Sequence, residues 1–527
     1  MMKPRATFGI HKTPDVTAML EEDPQPCDVP RYLTKPVVGL LLQYFVVGIL
    51  LGALGSCTGP LFGVYFHLST VQSNLLKGFT TIVWSCKACY GIVSDCFPIF
   101  GYRRKSWMLL GWGLCFGCLL VLGLQSHGDP YLPSPSSTDK PNTNAPTQGT
   151  AVSILCGITT AFYVMADVAA DALMVEWSQR EPDLVRGRLL TYCYGARQLG
   201  SAVAQVFIAL GLYSRPFGGT YDWGVSVNAF FLLLAIPVAA VVPVVVCWLG
   251  ESKRPVINCP QYLGEFWHIV QNKPYWHTML FAFGFNLLTS VVVMTQTPFV
   301  PQWAHMDHQT SQWFTALANL TYLVGLWYVA HVACTWSWRV SLGLALAAQV
   351  AVGALVDFMT IYNVVRCQWL NLVALVVVAV PQAIVNVTPC TAFIELAQDG
   401  KEGITYGMLT TMANVAWAFT PFLAKFISDG FRDDANSAVD SPDHRQSIGL
   451  PLVVGYTCSL LAIGLLMLLP KQKDHVEFLK AYGGKQPVFA TLTLILCFGS
   501  VLWAIVISIL SVFPATVCLS VGGGTSC

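Results

Sequence analysis

The chain has 527 residues, of which 54% are hydrophobic and 11% charged, with 29 Lys and Arg against 28 Asp and Glu. A soluble domain carries about 25% charged residues, so an ordinary globular enzyme is excluded and a polytopic protein in a lipid bilayer is indicated. The net charge of +1 gives no basis for nucleic-acid binding.

Residues 1–36 hold five cations and five acids with no apolar core. That argues against a cleaved signal peptide and for a cytosolic tail. Apolar runs near the ~20 residues needed to cross a bilayer follow at 37–66, 70–96, 106–124, 150–177, 187–212 and 224–249. A polar linker, 250–274, separates them from a second set at 275–300, 309–333, 338–359, 368–396, 403–428 and 449–469. A thirteenth run, 487–513, comes after the linker KQKDHVEFLKAYGGKQ, and residues 471–527 are expected to form a cytosolic linker and an extra membrane helix. The periodicity is helical throughout. The expected fold is therefore all-α, with a six-helix bundle at 37–249, a second at 275–470, and one further helix.

Orientation follows from the cations, because cytosolic loops are enriched in Lys and Arg. With the N-terminus inside, 20 cations fall in inner segments, five in outer loops and four within helices. The outer loop 125–149, rich in Pro, Ser and Thr, is expected to be disordered. Cys86 and Cys89, and Cys115 and Cys118, form CxxC pairs inside apolar runs; they read as small helix residues rather than metal ligands. No metal and no cofactor are expected. The stretch ALMVEWSQREPDLVRGRLLTYCYGARQLG is echoed by TAFIELAQDGKEGITYGMLTTMANVAW, with Glu176 and Glu395, and Gly187 and Gly403, in matching places. A repeated six-helix half marks proteins that rock two bundles about a central site.

Between the second and third runs lies GIVSDCFPIFGYRRK, residues 91–105. Its Gly91, Asp95, Gly101, Arg103, Arg104 and Lys105 resemble the signature of the major facilitator superfamily. The fuller form SDCFPIFGYRRKSW, with ADVAADALMVE in the fourth run and GAR in the fifth, resembles the folate–biopterin transporter family within it. The resemblance covers residues 37–470 and implies a monomeric secondary transporter, not an enzyme, that moves a folate, pteridine or related charged metabolite by alternating access. It also admits, as an alternative, a different charged metabolite such as S-adenosylmethionine. The thirteenth run departs from the usual twelve-helix pattern. Physically, Asp95 can hold the arginines of its own loop and face the positive N-terminal end of a partner helix, closing an inner gate. The competing reading is that the basic cluster only enforces topology.

Four ionisable groups fall at membrane depth. Lys87, Asp167 and Arg197 lie nine or ten residues from the inner ends of their runs, so all three sit roughly 15 Å deep. Asp171 lies one turn from Asp167. A charge at that depth costs about 3 kcal/mol and implies a pathway or a partner. Two cations with one deep acid would leave positive charge for an anionic substrate, with Asp167 and Asp171 as candidate proton carriers. The competing reading is an ion network that only pins helices together. Asn386 is the repeat counterpart of Asp167, and the second half carries neutral amides there: Asn286, Gln296, Asn319, Gln349, Gln382 and Asn414. Asn386 and Asn414 join Lys87, Asp167, Asp171 and Arg197 as candidates for binding or coupling. Gly48, Gly52, Gly55 and Gly59 in the first run suggest close helix packing.

A membrane enzyme would need a nucleophile with a base; His67 and His331 have no carboxylate at helical spacing, and no P-loop is present. A receptor built on a transporter frame is the remaining alternative. The plasma membrane is the default location.

Overall fold

The computed structural model describes residues 32–133, 140–295, 299–398, 400–431 and 440–510. The expectations for most of the N-terminal tail, the middle of the 125–149 loop, Gln296 and the last residues of the thirteenth run lie outside them. Among the described residues there is no strand, only three isolated bridges.

The first half contains α1 (Lys35–Ser56), α2 (Thr70–Ser85), α3 (Lys87–Cys96), α4 (Lys105–Leu124), α5 (Ala145–Gln179), α6 (Arg188–Gly211) and α7 (Val227–Trp248). After α8 (Cys259–Val270), the second half contains α9 (Lys273–Thr295), α10 (Phe299–Trp303), α11 (His308–Tyr328), α12 (Trp338–Ile361), α13 (Gln368–Leu396), α14 (Glu402–Asp429) and α15 (Pro442–Leu461). Then come α16 (Lys473–Tyr482) and α17 (Pro487–Leu510). Six crossings, six more and one extra are present, with two departures from expectation. The run 70–96 is not one helix but α2 and α3, broken at Cys86. The two polar linkers each contain a helix: α8 buries Tyr262, Phe266, Ile269 and Val270, and α16 buries Val476.

Among the described residues, ten helices are long and apolar enough to cross a membrane. The crossings outside that set are α2–α3, which the break leaves as helices of 16 and 10 residues, and α6 and α14, which carry polar groups such as Arg197, Gln205, Glu402 and Thr411. A helix covered by protein on several sides need not be apolar all round. These helices form the two seams between the halves, α6 against α11 and α3 against α14. Within the halves, α1 packs on α6, α4 on α5 and α7, α9 on α14 and α15, and α13 on α11 and α12. The extra helix α17 lies outside the α2–α14 seam and touches both. Its outward side chains, among them Leu492, Ile495, Phe498 and Leu502, are exposed as lipid-facing groups would be.

The α1 glycines divide in two. A Cβ on Gly48 or Gly52 would collide with α6 at Arg197 or Ser201, whereas Gly55 and Gly59 have nothing near them. The packing expected of all four holds for the first pair only.

Candidate functional site: a buried charge layer above a gate

Close contact between Gly48 and the Arg197 backbone brings α6 against α1, while α5 supplies Asp167 and Asp171 one turn apart. Lys87, the first residue of α3, places Nζ 2.9 Å from Asp167 and 2.7 Å from Asp171. Arg197 pairs with Asp167 and lies 3.7 Å from Asp171. All four side chains are buried. The structure therefore brings the predicted cations and acids together, but in a different balance. Asp171 is not a stepping stone below the layer; it is a full member, because the fourth-residue spacing on α5 turns it to the same cations. Two cations face two acids, and the excess positive charge expected from sequence is absent.

Three aromatic residues frame the layer. Arg197 stacks between the rings of Tyr44 and Tyr194, each 4.9 Å away, and Lys87 lies 4.7 Å from the Trp84 ring. Tyr44 also donates to Asp171 at 2.6 Å. Cation–π contacts of this kind contribute about 0.5–2 kcal/mol. Sequence reasoning missed these tyrosines, although Tyr194 is only three residues from Arg197. Arg197 Nε has no hydrogen-bond partner among the described residues.

Asn386 is not in the layer. It is exposed on α13 beside the hydroxyl of Tyr322, which also faces Gln198 of the first half. Asn414 instead donates to the Trp84 carbonyl at 3.0 Å.

The motif around Asp95 lies at the face where α1 begins, called here the tail face. Asp95, at the end of α3, is fully buried and receives Arg103 at 3.1 Å and Arg104 at 2.5 Å from its own loop. It also accepts the Tyr262 hydroxyl and, at 3.0 Å, the backbone amide of Ile404 in the first turn of α14. Burial and the adjacent Asp95 carboxylate push the Tyr262 hydroxyl well above its ordinary range, so it donates as a neutral phenol. Arg103 donates to the Gly400 carbonyl at 2.7 Å and Arg104 reaches Glu402 at 3.2 Å, so the loop of one half grips the other. Burial opposes the Arg104 charge, but Asp95 and Glu402 together hold its guanidinium above the ordinary value.

Both motif glycines have a geometric reason. A Cβ on Gly91 would strike the Gly403 carbonyl, and Gly101 has φ of +86°. Lys105 is not brought to Asp95. Its ammonium binds the carbonyls of Val246 at 2.7 Å and Leu249 at 3.0 Å, tying α4 to α7. The carboxylate of Glu251, which no motif flagged, accepts the amides of Arg103, Arg104 and Lys105 at 2.8–3.0 Å and fixes the start of α4.

Further links close the same face: Arg186 to Glu395 at 3.0 Å and Gln179 to the Ala397 carbonyl at 2.8 Å. The crevice bordered by Lys87, Asp171, Gly403, Tyr406 and Gly407 is too narrow to admit water. At the opposite face a cavity of about 500 Å³ opens between the end of α1, with Gly55 and Gly59, and the start of α11. The structure is thus shut at the tail face.

The profile of the BT1 family matches residues 54–484. The chain belongs to the BT1 family. "Folate transporter 1" of Plasmodium falciparum is 40% identical to it over 67 residues, 13% of each chain. The "Folate-biopterin transporter" of Synechocystis sp. is 26% identical over 207 residues, 39% of this chain and 35% of that one. The chain thus spans about a third or less of the length of these relatives. A proton:xylose symporter of the major facilitator superfamily superposes with a TM-score of 0.56 at 14% identity, covering 85% of this chain and 98% of that one. This BT1-family protein therefore has the major facilitator fold, and the ion-paired cluster at Asp95 and the layer at Lys87 occupy the seam between its two bundles.

Proposed function

We propose that this protein carries a folate- or pteridine-like anion across a membrane by alternating access, with protons as the coupling ion. The observation that carries the reading is the balanced, buried charge layer above a shut gate, with a cavity at the opposite face. The tail face is cytosolic, by the excess of cations there, so the conformer is outward-facing. A monomer in the plasma membrane completes the proposal.

The balance dictates how an anion binds. An anion added to two cations and two carboxylates leaves an unpaired buried charge, which costs several kcal/mol. A proton taken up by Asp167 or Asp171 offsets one substrate carboxylate. Substrate carboxylate then takes the guanidinium of Arg197, whose Nε is available, and releases Asp167 toward the amino edge of a pteridine. Asn386 and Tyr322 supply neutral hydrogen bonds from the second half. Names of the relatives support the substrate class, and the resemblance of the motifs supports it again.

The test is uptake of labelled folic acid, biopterin and S-adenosylmethionine into cells lacking their own carriers, at external pH 5.5 and 7.5. Folic acid, which carries the carboxylates, should accumulate, faster at the acid pH, and biopterin, which has none, should enter more slowly. Uptake of S-adenosylmethionine alone would refute the substrate class, and uptake indifferent to pH would refute the coupling.

A further inference from the structure

The break between α2 and α3 has an unusual closure. In a continuous helix the Ala88 amide would donate to the Trp84 carbonyl four residues earlier. Here Ala88 N–H donates to Thr411 Oγ1 at 2.9 Å, and Asn414 Nδ2 donates to the Trp84 carbonyl at 3.0 Å. Both orphaned backbone groups are satisfied by side chains three residues apart on α14, in the other half of the molecule. The break has no local cause, since neither Pro nor Gly lies between Trp84 and Ala88. Insertion of side chains into the ladder remains as the cause. Its consequence is local: Lys87 begins α3 at the angle that carries Nζ to Asp167 and Asp171.

We infer that Thr411 and Asn414 are positioning residues, a removable splint that holds Lys87 in the charge layer only while the gate is closed. If α14 withdraws, the Ala88 amide and the Trp84 carbonyl lose their partners in a buried setting. Each unmet group is costly, so the two pair with each other. That pairing makes α2–α3 continuous and re-aims Lys87 away from Asp171. Gate opening and dismantling of the layer are then one event. The motion rests on the alternating-access proposal, but the splint requires no particular substrate.

Two substrate-free measurements on the full-length protein in lipid nanodiscs test it. Hydrogen–deuterium exchange of the peptide spanning residues 84–90 should accelerate about tenfold in Thr411→Val, the equivalent of one lost hydrogen bond. Thr411→Ser, which keeps the hydroxyl, should restore it. Thermal melting then tests the link to Lys87. Most of the loss in Tm caused by Lys87→Met should be absent when Thr411→Val and Asn414→Leu are already present, because Lys87 has already left the layer. Asn414→Leu alone, which frees a carbonyl and not an amide, should couple to Lys87→Met in the same direction. Unchanged exchange at 84–90 in Thr411→Val, or additive losses in Tm, would overturn the inference. Neither readout involves uptake, so failure of folic acid transport leaves the splint intact, and failure of the splint leaves the transport proposal intact.

Discussion

Replacing Arg197 with glutamine removes one of two cations from a cluster whose formal charge is zero. The carboxylates left behind are buried, and Lys87 alone must serve both. Removing one partner from a buried ion pair costs about 3–5 kcal/mol. The cation–π contacts with Tyr44 and Tyr194 are lost as well, at about 0.5–2 kcal/mol each. Native proteins are stable by about 5–15 kcal/mol, so the single variant should show much reduced abundance and a lower Tm. Neutralising Asp167 at the same time leaves the Lys87–Asp171 pair, 2.7 Å apart, and a net charge of zero. Asp167→Asn with Arg197→Gln should therefore recover most of the abundance, with a coupling of about 2–3 kcal/mol in the double-mutant cycle. The recovered protein should still fail to transport, because the guanidinium proposed to bind the substrate is gone. The assay is surface biotinylation and melting in detergent, with folic acid uptake beside them. Normal abundance of Arg197→Gln, or additive losses in the pair, would refute the reasoning from charge balance. Normal uptake by the double variant would reduce the layer to a structural clamp.

Asp95→Asn removes the charge that holds Arg103 and Arg104 and weakens the bond from the Ile404 amide. A cysteine introduced at Thr410, on the shut crevice, should then react faster with an impermeant maleimide applied from the tail face. Unchanged reactivity with normal uptake would make the motif topological only. Glu251→Ala strips three amides at the start of α4 of their acceptor and should cost about 1–2 kcal/mol, read as a fall in Tm of about 1–2 °C. A C-terminal epitope tag should lie on the face opposite the N-terminus, because α17 starts beside Gln271 at the tail face and reaches Gly78 by Ser508. Staining of that tag only after permeabilisation of a protein with a cytosolic N-terminus would refute the thirteenth crossing.

Apolar runs were enough to read the crossings, since hydrophobic length is a local property. The four intramembrane charges were legible for the same reason: at that depth any ionisable group stands out. What sequence could not supply was how they pair. Asp171 joins the layer because α5 turns it toward Lys87, and the Tyr44 and Tyr194 rings reach Arg197 from two helices. The break at Cys86 was hidden because its partner Thr411 is 323 residues from Ala88. Helices α8 and α16 were masked by their length, 12 and 10 residues, since a short amphipathic helix resting on a larger body buries only one stripe. Glu251 carries no motif; only the fold brings it to the start of α4.

The ten residues of α3 join the layer to the gate. Lys87 at one end and Asp95 near the other are eight residues apart, about 12 Å along a rigid helix. Between them Gly91 packs on Gly403, so α14 cannot move without disturbing both ends. Polar links that hold the halves at this face include Asp95 with the Ile404 amide, Arg103 with Gly400, Arg104 with Glu402, Arg186 with Glu395, and Gln179 with Ala397. At about 1 kcal/mol each, or somewhat more where a charge takes part, they weight the closed conformer by several kcal/mol. Reversing a 99:1 preference takes about 5.5 kcal/mol of differential binding. Two or three charge-assisted hydrogen bonds, at about 1.5–3 kcal/mol each, lie in that range. On the proposed function, a bound anion that takes Arg197, with a proton that releases Lys87 from Asp171, would act on the upper end of α3 with the energy needed to free its lower end. Neither does so alone, because the anion without the proton leaves a buried charge and the proton without the anion leaves the cations unpaired.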